Sequence, residues 1–216
     1  MTDAPLPPLS DPAYDFTNDW FDQNIPVWDA LLPRFEPKRV LEIGSYEGRS
    51  ACYLIEKFGD NESLEIHCVD TWEGGVEHDK GAMSEVESRF DKNVQLALQK
   101  KNNPGVVVKK HKKLSYMALA ELITVERAAT FDLLYVDGSH QAPHVLSDAV
   151  MGFHLVRQGG LMVFDDYIWS MEEMGKQDVL NMPKSAIDAF VNAFTRKVVV
   201  VRGAPVYQLY VTKTEA

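Results

Sequence analysis

The sequence lacks most features of secreted, membrane-spanning and nucleic-acid-binding proteins. Its 216 residues include two cysteines, Cys52 and Cys68, which lie in apolar surroundings and outside any metal-ligand spacing, so we expect buried free thiols in a reducing compartment. No apolar run is long enough to cross a bilayer, and residues 1–10 are proline-rich without the apolar segment of a signal peptide. The formal net charge of −10 repels nucleic-acid phosphates and anionic membranes. We therefore expect a cytoplasmic protein with no nucleic-acid or membrane partner.

The apolar runs predict one α/β domain over residues 38–216, preceded by an N-terminal arm and helices in residues 1–37. In that first part an apolar pattern of helical spacing is interrupted by Pro26 and Pro33. Five short apolar runs then alternate with helical patterns; they cover 39–43, 63–69, 106–108, 131–136 and 161–164. Such alternation is typical of parallel strands covered by helices on both faces. Two final runs, 198–202 and 206–212, add an antiparallel pair. We therefore predict a Rossmann-like, doubly wound, mostly parallel sheet with an antiparallel C-terminal edge strand.

The loop after the first strand has the composition of a ligand-binding turn. In a sheet of this kind, ligands bind at the C-terminal ends of the strands. Gly44 and Gly48 allow a tight turn and a close approach of a ligand to the backbone. Their Gly-x-x-x-Gly spacing lacks the Gly-x-Gly-x-x-Gly that seats a pyrophosphate. Glu42 would also repel a pyrophosphate but could accept a hydrogen bond from a cationic amino group, so the ligand need not be a phosphate.

The end of the second strand adds a candidate ribose site. Asp70 follows this strand directly, and a carboxylate there can accept hydrogen bonds from both hydroxyls of a ribose. Trp72 could pack against the face of an adenine. The alternatives are that Asp70 caps a turn and that Trp72 packs in the core.

Three further carboxylates, Asp137, Asp165 and Asp166, follow the fourth and fifth strands. Neighbouring strands lie about 4.8 Å apart, so these groups converge and repel one another unless a cation or bound protons neutralise them. Oxygen ligands suit Mg²⁺, which makes a magnesium site the leading hypothesis. The alternative is that Asp165 and Asp166 cap a loop while Asp137 touches only the organic ligand. His140 could act as a general base because it titrates near neutrality, or it could be a structural histidine.

Together these residues resemble the class I S-adenosylmethionine-dependent methyltransferases. The closer likeness is to the metal-dependent small-molecule O-methyltransferases typified by catechol O-methyltransferase. It rests on residues 40–50, Asp70 and the pair Asp165 and Asp166, and it spans roughly residues 38–170. The resemblance implies that the first loop contacts the methionine end of S-adenosylmethionine, that Asp70 binds the ribose and that Ser115 lies near the adenine. The full set of predicted cofactor residues is Glu42, Gly44, Ser45, Tyr46, Gly48, Ser50, Asp70, Thr71, Trp72, Ser115 and Asp137.

The chain departs from the catechol enzymes at several of these positions. Asp70 stands where those enzymes have Glu, Asp166 where they have Asn, and His140 where they have a lysine that acts as base. A longer loop, residues 73–81, follows Asp70. The aspartate-rich pattern also resembles that of macrolide-sugar O-methyltransferases.

The leading functional hypothesis is an S-adenosylmethionine-dependent methyltransferase that acts on a hydroxyl of a small-molecule acceptor. It assigns Mg²⁺ to Asp137, Asp165 and Asp166, and the role of base to His140. Two alternatives stay open: a nicotinamide-dependent oxidoreductase, which the missing third glycine and Glu42 disfavour, and a protein that binds the cofactor without catalysis. Homodimer formation through the N-terminal arm or the final strand pair is also left open, because no residue decides it.

Overall fold

A computed structural model describes residues 13–76, 78, 81–126 and 129–215. Its strands are β1 Arg39–Ile43, β2 Leu64–Asp70, β3 Val106–Lys112, β4 Phe131–Val136, β5 Val156–Phe164, β6 Val198–Val200 and β7 Leu209–Lys213. Its α-helices are α1 Ile25–Leu31, α2 Arg49–Phe58, α3 Val86–Lys101, α4 Ser115–Glu126, α5 Ala142–Leu155 and α6 Pro183–Ala193. Short 3₁₀ helices cover Asp22–Asn24, Leu32–Arg34, Ala82–Glu85 and Val179–Asn181.

The strands form one seven-stranded sheet in the order β3-β2-β1-β4-β5-β7-β6. Strands β1 to β5 are parallel, and β7 runs antiparallel to both β5 and β6. The predicted doubly wound, mostly parallel sheet with an antiparallel C-terminal pair at one edge is therefore confirmed. Within that pair β6 is outermost, since β7 pairs with both β5 and β6; accordingly β7 buries Tyr210 and Val211, whereas β6 leaves Val199 exposed.

Helices cover both faces of the sheet, as continuous apolar strands require. One apolar core joins the sheet to α1, α2 and α3, and a second joins it to α4, α5 and α6. The prolines in the N-terminal part start helices instead of interrupting them, since Pro26 lies in the first turn of α1 and Pro33 in that of the following 3₁₀ helix. This position suits proline because its missing N–H has no partner there. No helix in the described ranges is both long and apolar enough to span a membrane.

Strand β3 extends beyond the three residues predicted for it and includes the basic residues up to Lys112. It is an edge strand, where charged side chains discourage pairing with another chain. Lys109 lies 2.8 Å from Glu65, and Lys110 lies 2.7 Å from Asp91. The basic residues therefore belong to local ion pairs on the surface, as expected for a short charge run.

The strand register brings the predicted site residues to one edge of the sheet. Ile43, the last residue of β1, lies opposite Val69 of β2 and Val136 of β4, and Val136 lies opposite Phe164 of β5. The next residues along each chain segment, Gly44, Asp70, Asp137 and Asp165, consequently emerge side by side. The strand order reverses between β1 and β4, which is where sheets of this type bind ligands.

Candidate active site

The loop between β1 and α2 has an unusual backbone. Gly44 and Gly48 have φ angles of 86° and 81°, and Tyr46 between them has a φ of 44°. Glycine adopts this left-handed region without steric cost, which explains its placement at both ends of the turn. A hydrogen bond from the Gly48 N–H to Ser45 O at 2.7 Å closes the turn, and one from the Gly44 N–H to Val69 O at 2.8 Å joins its start to β2.

Glu42 lies beneath this loop and is fully buried. Its carboxylate accepts hydrogen bonds from Ser45 Oγ at 2.6 Å and from Ser50 Oγ. Burial raises the pKa of Glu42 above its usual value, and the two serine hydroxyls oppose that effect. The side chain therefore connects the loop to the first turn of α2 from below, and it does not line the cavity described next.

A cavity opens above the loop, between it and the N-terminal segment of residues 16–21. Five of the predicted cofactor residues line it: Gly44, Ser45, Tyr46, Ser50 and Asp137. The opposite wall consists of residues that sequence reasoning missed, namely Phe16, Asn18, Trp20 and Phe21. Glu47 and Arg49 complete the lining.

Hydrogen bonds and an ion pair of Glu47 and Arg49 hold the N-terminal segment against the loop. The buried Glu47 carboxylate accepts hydrogen bonds from the Thr17 N–H at 2.7 Å and from Thr17 Oγ1 at 2.8 Å. The Arg49 guanidinium donates to Asn18 O at 3.1 Å and forms an ion pair with Asp22. These contacts join residues about 30 positions apart, so no local sequence pattern could have revealed them.

Asp70 holds the loop in place. Its Oδ2 accepts hydrogen bonds from the Ser45 and Tyr46 N–H groups at 2.8 and 2.9 Å, and its Oδ1 accepts one from the Trp72 N–H at 2.7 Å. A carboxylate has about four acceptor sites, so these three donors leave room for a further one. Thr71, the next residue, is half-buried and accepts a hydrogen bond from the Glu73 N–H.

Trp72 belongs to the core and not to the rim of the site. It is 4% exposed, its ring packs 4.9 Å from that of Phe90, and Lys110 Nζ lies 4.5 Å above it. Its Nε1 donates to Tyr46 O at 2.9 Å. The predicted contact with an adenine face is not supported by this packing, because the strand-end position does not determine in which direction the side chain points.

Three of the predicted residues meet at the ends of β4 and β5. Asp137, His140 and Asp166 can each present one potential metal-ligand atom within 4.8 Å of the others. In the described ranges this is the one group of three or more such side chains. His140 Nε2 lies 2.8 Å from Asp166 Oδ2. Asp166 adopts a φ of 54°, and its Oδ1 accepts a hydrogen bond from the Tyr207 hydroxyl at 2.8 Å. The Trp169 ring packs against His140, with ring centroids 4.3 Å apart.

Asp165, predicted as the third metal ligand, points into the protein. It is 8% exposed, and Oδ2 accepts hydrogen bonds from the Tyr135 hydroxyl and from Gln208 Nε2, the latter at 2.8 Å. Its Oδ1 accepts the Asp166 N–H at 2.8 Å. His140 therefore takes the place that the prediction gave to Asp165 in the convergent group. Both residues follow the end of β5 at Phe164, and the left-handed backbone at Asp166 lets the two side chains take different partners.

The carboxyl groups of Asp137 and Asp165 have raised pKa values and resist ionisation. Removal from water raises the pKa of Asp137 well above its usual range, and the negative charges of Asp165 and Asp166 raise it further. Burial, followed by the charge of Asp166, raises the pKa of Asp165 to about 6. Such a group favours a cation or retained protons in its midst, so the residues present fit a divalent cation with oxygen ligands.

Ser115 is the first residue of α4, just after the end of β3, and it is half-buried. Its side chain lies near the carboxylate of Asp148, a residue of α5 that is 1% exposed, and opposes the rise that burial causes in the pKa of that carboxyl. The structure thus places Ser115 at the strand-end side of the sheet, outside the lining of the cavity beside the first loop.

Comparison with known proteins identifies the family. Residues 41–167, more than half of the chain, match the family described as a methyltransferase domain. The chain therefore belongs to this family, and it is a class I S-adenosylmethionine-dependent methyltransferase. Among curated proteins, none matches the chain at a significant level.

Solved structures share the fold. The O-methyltransferase TomG from Streptomyces achromogenes is 16% identical, with 88% of this chain and 78% of that one covered and a TM-score of 0.59. An O-methyltransferase from Bacillus cereus is 18% identical, with 94% and 84% covered and a TM-score of 0.58. The MycE methyltransferase of the mycinamycin biosynthetic pathway is 19% identical, with 94% and 50% covered and a TM-score of 0.55.

Proposed function

We propose that this methyltransferase moves a methyl group from S-adenosylmethionine to a hydroxyl of a small-molecule acceptor, with His140 as the base. The observation that carries the proposal is the pair of His140 and Asp166, 2.8 Å apart, next to Asp137 at the strand ends. Asp137 also lines the cavity beside the first loop. One residue thus belongs both to the predicted cofactor site and to the group that would activate the acceptor.

The cavity suits the methionine end of the cofactor. The first turn of α2 begins beside Ser50, and the N-terminus of a helix attracts a carboxylate. Asp137, which lines the same cavity, would accept hydrogen bonds from the ammonium group. We further propose that the remaining acceptor site of Asp70 binds the ribose and that Ser115 lies near the adenine. The Streptomyces and Bacillus enzymes are described in complex with S-adenosylmethionine and S-adenosylhomocysteine.

Asp137 and Asp166 are the proposed ligands of a divalent cation. A cation bound there would lower the pKa of the acceptor hydroxyl and orient its oxygen. Mg²⁺ fits carboxylate ligands and keeps positions open for substrate oxygens. MycE is described in complex with magnesium, S-adenosylhomocysteine and mycinamycin VI.

His140 accepts the hydroxyl proton in this proposal. The acceptor oxygen attacks the methyl carbon, the bond between that carbon and sulfur breaks, and the sulfonium becomes a neutral thioether. The proton moves to His140, and the carboxylate of Asp166 stabilises the imidazolium that forms. Holding the oxygen in line with the methyl group would lower the barrier further, by up to about 7–11 kcal/mol in well-oriented reactions.

The surroundings of His140 favour an acceptor that contains a ring. Trp169 is half-buried and presents an aromatic surface beside the base. The segment that follows it exposes Met171 and Met174, whose flexible side chains adapt to irregular apolar surfaces.

Three measurements test the proposal. Calorimetric titration with S-adenosylhomocysteine and with NAD should show binding of the first alone; binding of NAD alone would favour an oxidoreductase.

With a panel of hydroxylated aromatic and sugar acceptors, His140→Gln should lower kcat more than it weakens cofactor binding. EDTA should abolish turnover and Mg²⁺ should restore it. An unchanged rate in EDTA would refute the role of the cation, and no turnover of any acceptor would favour a protein that only binds the cofactor.

A further inference from the structure

A buried glutamine lies directly behind the strand-end carboxylates. Gln208 precedes β7 and is 2% exposed. Its Oε1 accepts hydrogen bonds from Trp28 Nε1 at 2.8 Å and from the Tyr210 hydroxyl at 2.5 Å. An indole N–H can only donate, so this contact fixes which end of the amide is the oxygen. The amide nitrogen must therefore face Asp165.

Gln208 Nε2 donates to Asp165 Oδ2 at 2.8 Å. The same carboxylate binds the Tyr135 hydroxyl, which also lies 2.9 Å from Asp137 Oδ2. Through Oδ1 it accepts the N–H of Asp166 at 2.8 Å. Asp165 is thus connected to both carboxylates proposed to hold the cation. It reaches Asp137 through the Tyr135 hydroxyl, and it binds Asp166 directly through the backbone N–H of Asp166.

We propose that Gln208 is a positioning residue for the cation site, acting through Asp165, which is an anchor and not a ligand. The inference rests on the proposed function. Asp165, Asp137 and Asp166 repel one another, and a neutral amide offers Asp165 a donor without adding charge. With its oxygens held inward, Asp165 fixes the Tyr135 hydroxyl against Asp137.

The second consequence concerns the backbone of Asp166. Its φ of 54° is uncommon for a residue other than glycine and needs support from its surroundings. The bond from its N–H to Asp165 supplies part of that support and directs the side chain towards His140. Partners behind the ligands of a metal commonly change metal affinity by about 10- to 100-fold when they are removed.

The test compares two substitutions around the same amide. Gln208→Met keeps the length of the side chain and removes the donor to Asp165. Tyr210→Phe removes a donor to Gln208 Oε1 but leaves the bond to Asp165 intact, so it is the matched control. Mn²⁺ serves as the probe, and its dissociation constant is measured by electron paramagnetic resonance. S-adenosylhomocysteine affinity and thermal unfolding are also measured for each variant.

We expect Gln208→Met to weaken Mn²⁺ binding about 10-fold or more and to leave S-adenosylhomocysteine affinity within about 2-fold of wild type. Tyr210→Phe should leave Mn²⁺ affinity nearly unchanged. Tyr135→Phe should weaken Mn²⁺ binding as well, which gives a second measurement if Gln208→Met folds poorly. Equal effects of Gln208→Met and Tyr210→Phe, or a fall in Tm without a change in Mn²⁺ affinity, would overturn the inference alone. Absence of Mn²⁺ binding by the wild-type protein would overturn the proposed cation and this inference together.

Discussion

A Cβ atom placed on Gly44 would lie 1.9 Å from the carbonyl oxygen of Asp137. The two loops that carry the site are therefore packed backbone against backbone at the switch point of the sheet. The N–H of Asp137 also donates to Ile43 O at 2.8 Å, directly before Gly44. This contact sets the distance between the first loop and the residue shared by the proposed cofactor and cation sites.

Substitution of Gly44 by alanine should be far more harmful than the same change at other glycines with positive φ. Gly203 has a φ of 89°, and a Cβ added there would have no atom within 4 Å, so Gly203→Ala should cost only backbone strain, about 1–2 kcal/mol. Gly44→Ala adds the clash with Asp137, for a total of about 2–5 kcal/mol. Urea unfolding measures both, and equal losses would show that the two loops separate easily.

Gly48→Ala should fall between these two variants. The nearest atom to a Cβ there is Phe90 Cδ2 at 3.0 Å, a side-chain atom that can move. We expect S-adenosylhomocysteine affinity to fall in Gly44→Ala and Gly48→Ala and to stay unchanged in Gly203→Ala, as measured by calorimetry.

Asp148 should make the protein less stable at alkaline pH. Burial raises its pKa from 3.8 to about 7, so the folded state retains a proton that the unfolded chain releases. The stabilisation is complete below pH 3.8 and is lost as the pH rises through about 7. Asp148→Asn keeps a partner for Ser115 and should be more stable than wild type at pH 8, with a smaller difference at pH 5. Asp60→Asn, at an exposed carboxylate, is the control for free energies of unfolding measured across this range.

His67 and His111 should produce the opposite dependence on pH. The two rings are stacked, and His111 Nε2 lies 3.0 Å from His67 Nδ1. Burial lowers the pKa of both below 6.5, so the unfolded chain takes up protons first and stability is lost as the pH falls through 6.5. His111→Gln should reduce this loss in unfolding experiments between pH 8 and pH 5. His154→Gln, at an exposed position on α5, should leave it unchanged; equal curves for all three proteins would contradict the prediction.

Trp169 should determine the affinity for acceptors that contain a ring. An aromatic contact contributes about 0.5–1.5 kcal/mol beyond its buried area, so Trp169→Ala should raise the KM of an aromatic acceptor about 2- to 12-fold. Trp169→Phe should raise it less, because an aromatic face remains. Val199→Ala, an exposed position on the edge strand β6, is the control. A change in kcat without a change in KM would instead indicate that Trp169 orients His140.

The strand ends were the part of the site that the sequence could predict. Continuous apolar runs predict parallel strands, and parallel strands bring the residues that follow them to one edge. Gly44, Asp137 and Asp166 were found by this rule and meet as expected. Trp72 and Asp165 obey the same rule but point into the core, because the rule gives the position of a residue along a strand and not the direction of its side chain.

The residues around the strand ends were beyond prediction. Phe16 and Trp20 line the cavity because Glu47 and Arg49 hold a distant segment above the loop. Gln208 donates to Asp165 across 43 residues of sequence, and the residues that flank Gln208 give no sign that its polar side chain is buried. Hydrogen bonds of this kind depend on which side chains the completed fold encloses together.

The sequence by itself determined the class of fold, the edge of the sheet at which the site forms and most of the charged residues found there, since these follow from apolar periodicity and from the residues after each strand. The tertiary structure decided which of those carboxylates face outward, which segment covers the cavity and that His140, not Asp165, joins Asp137 and Asp166. The reason is physical: periodicity is a property of neighbouring residues, whereas the direction of a buried polar side chain depends on partners that only the folded chain brings within hydrogen-bonding distance.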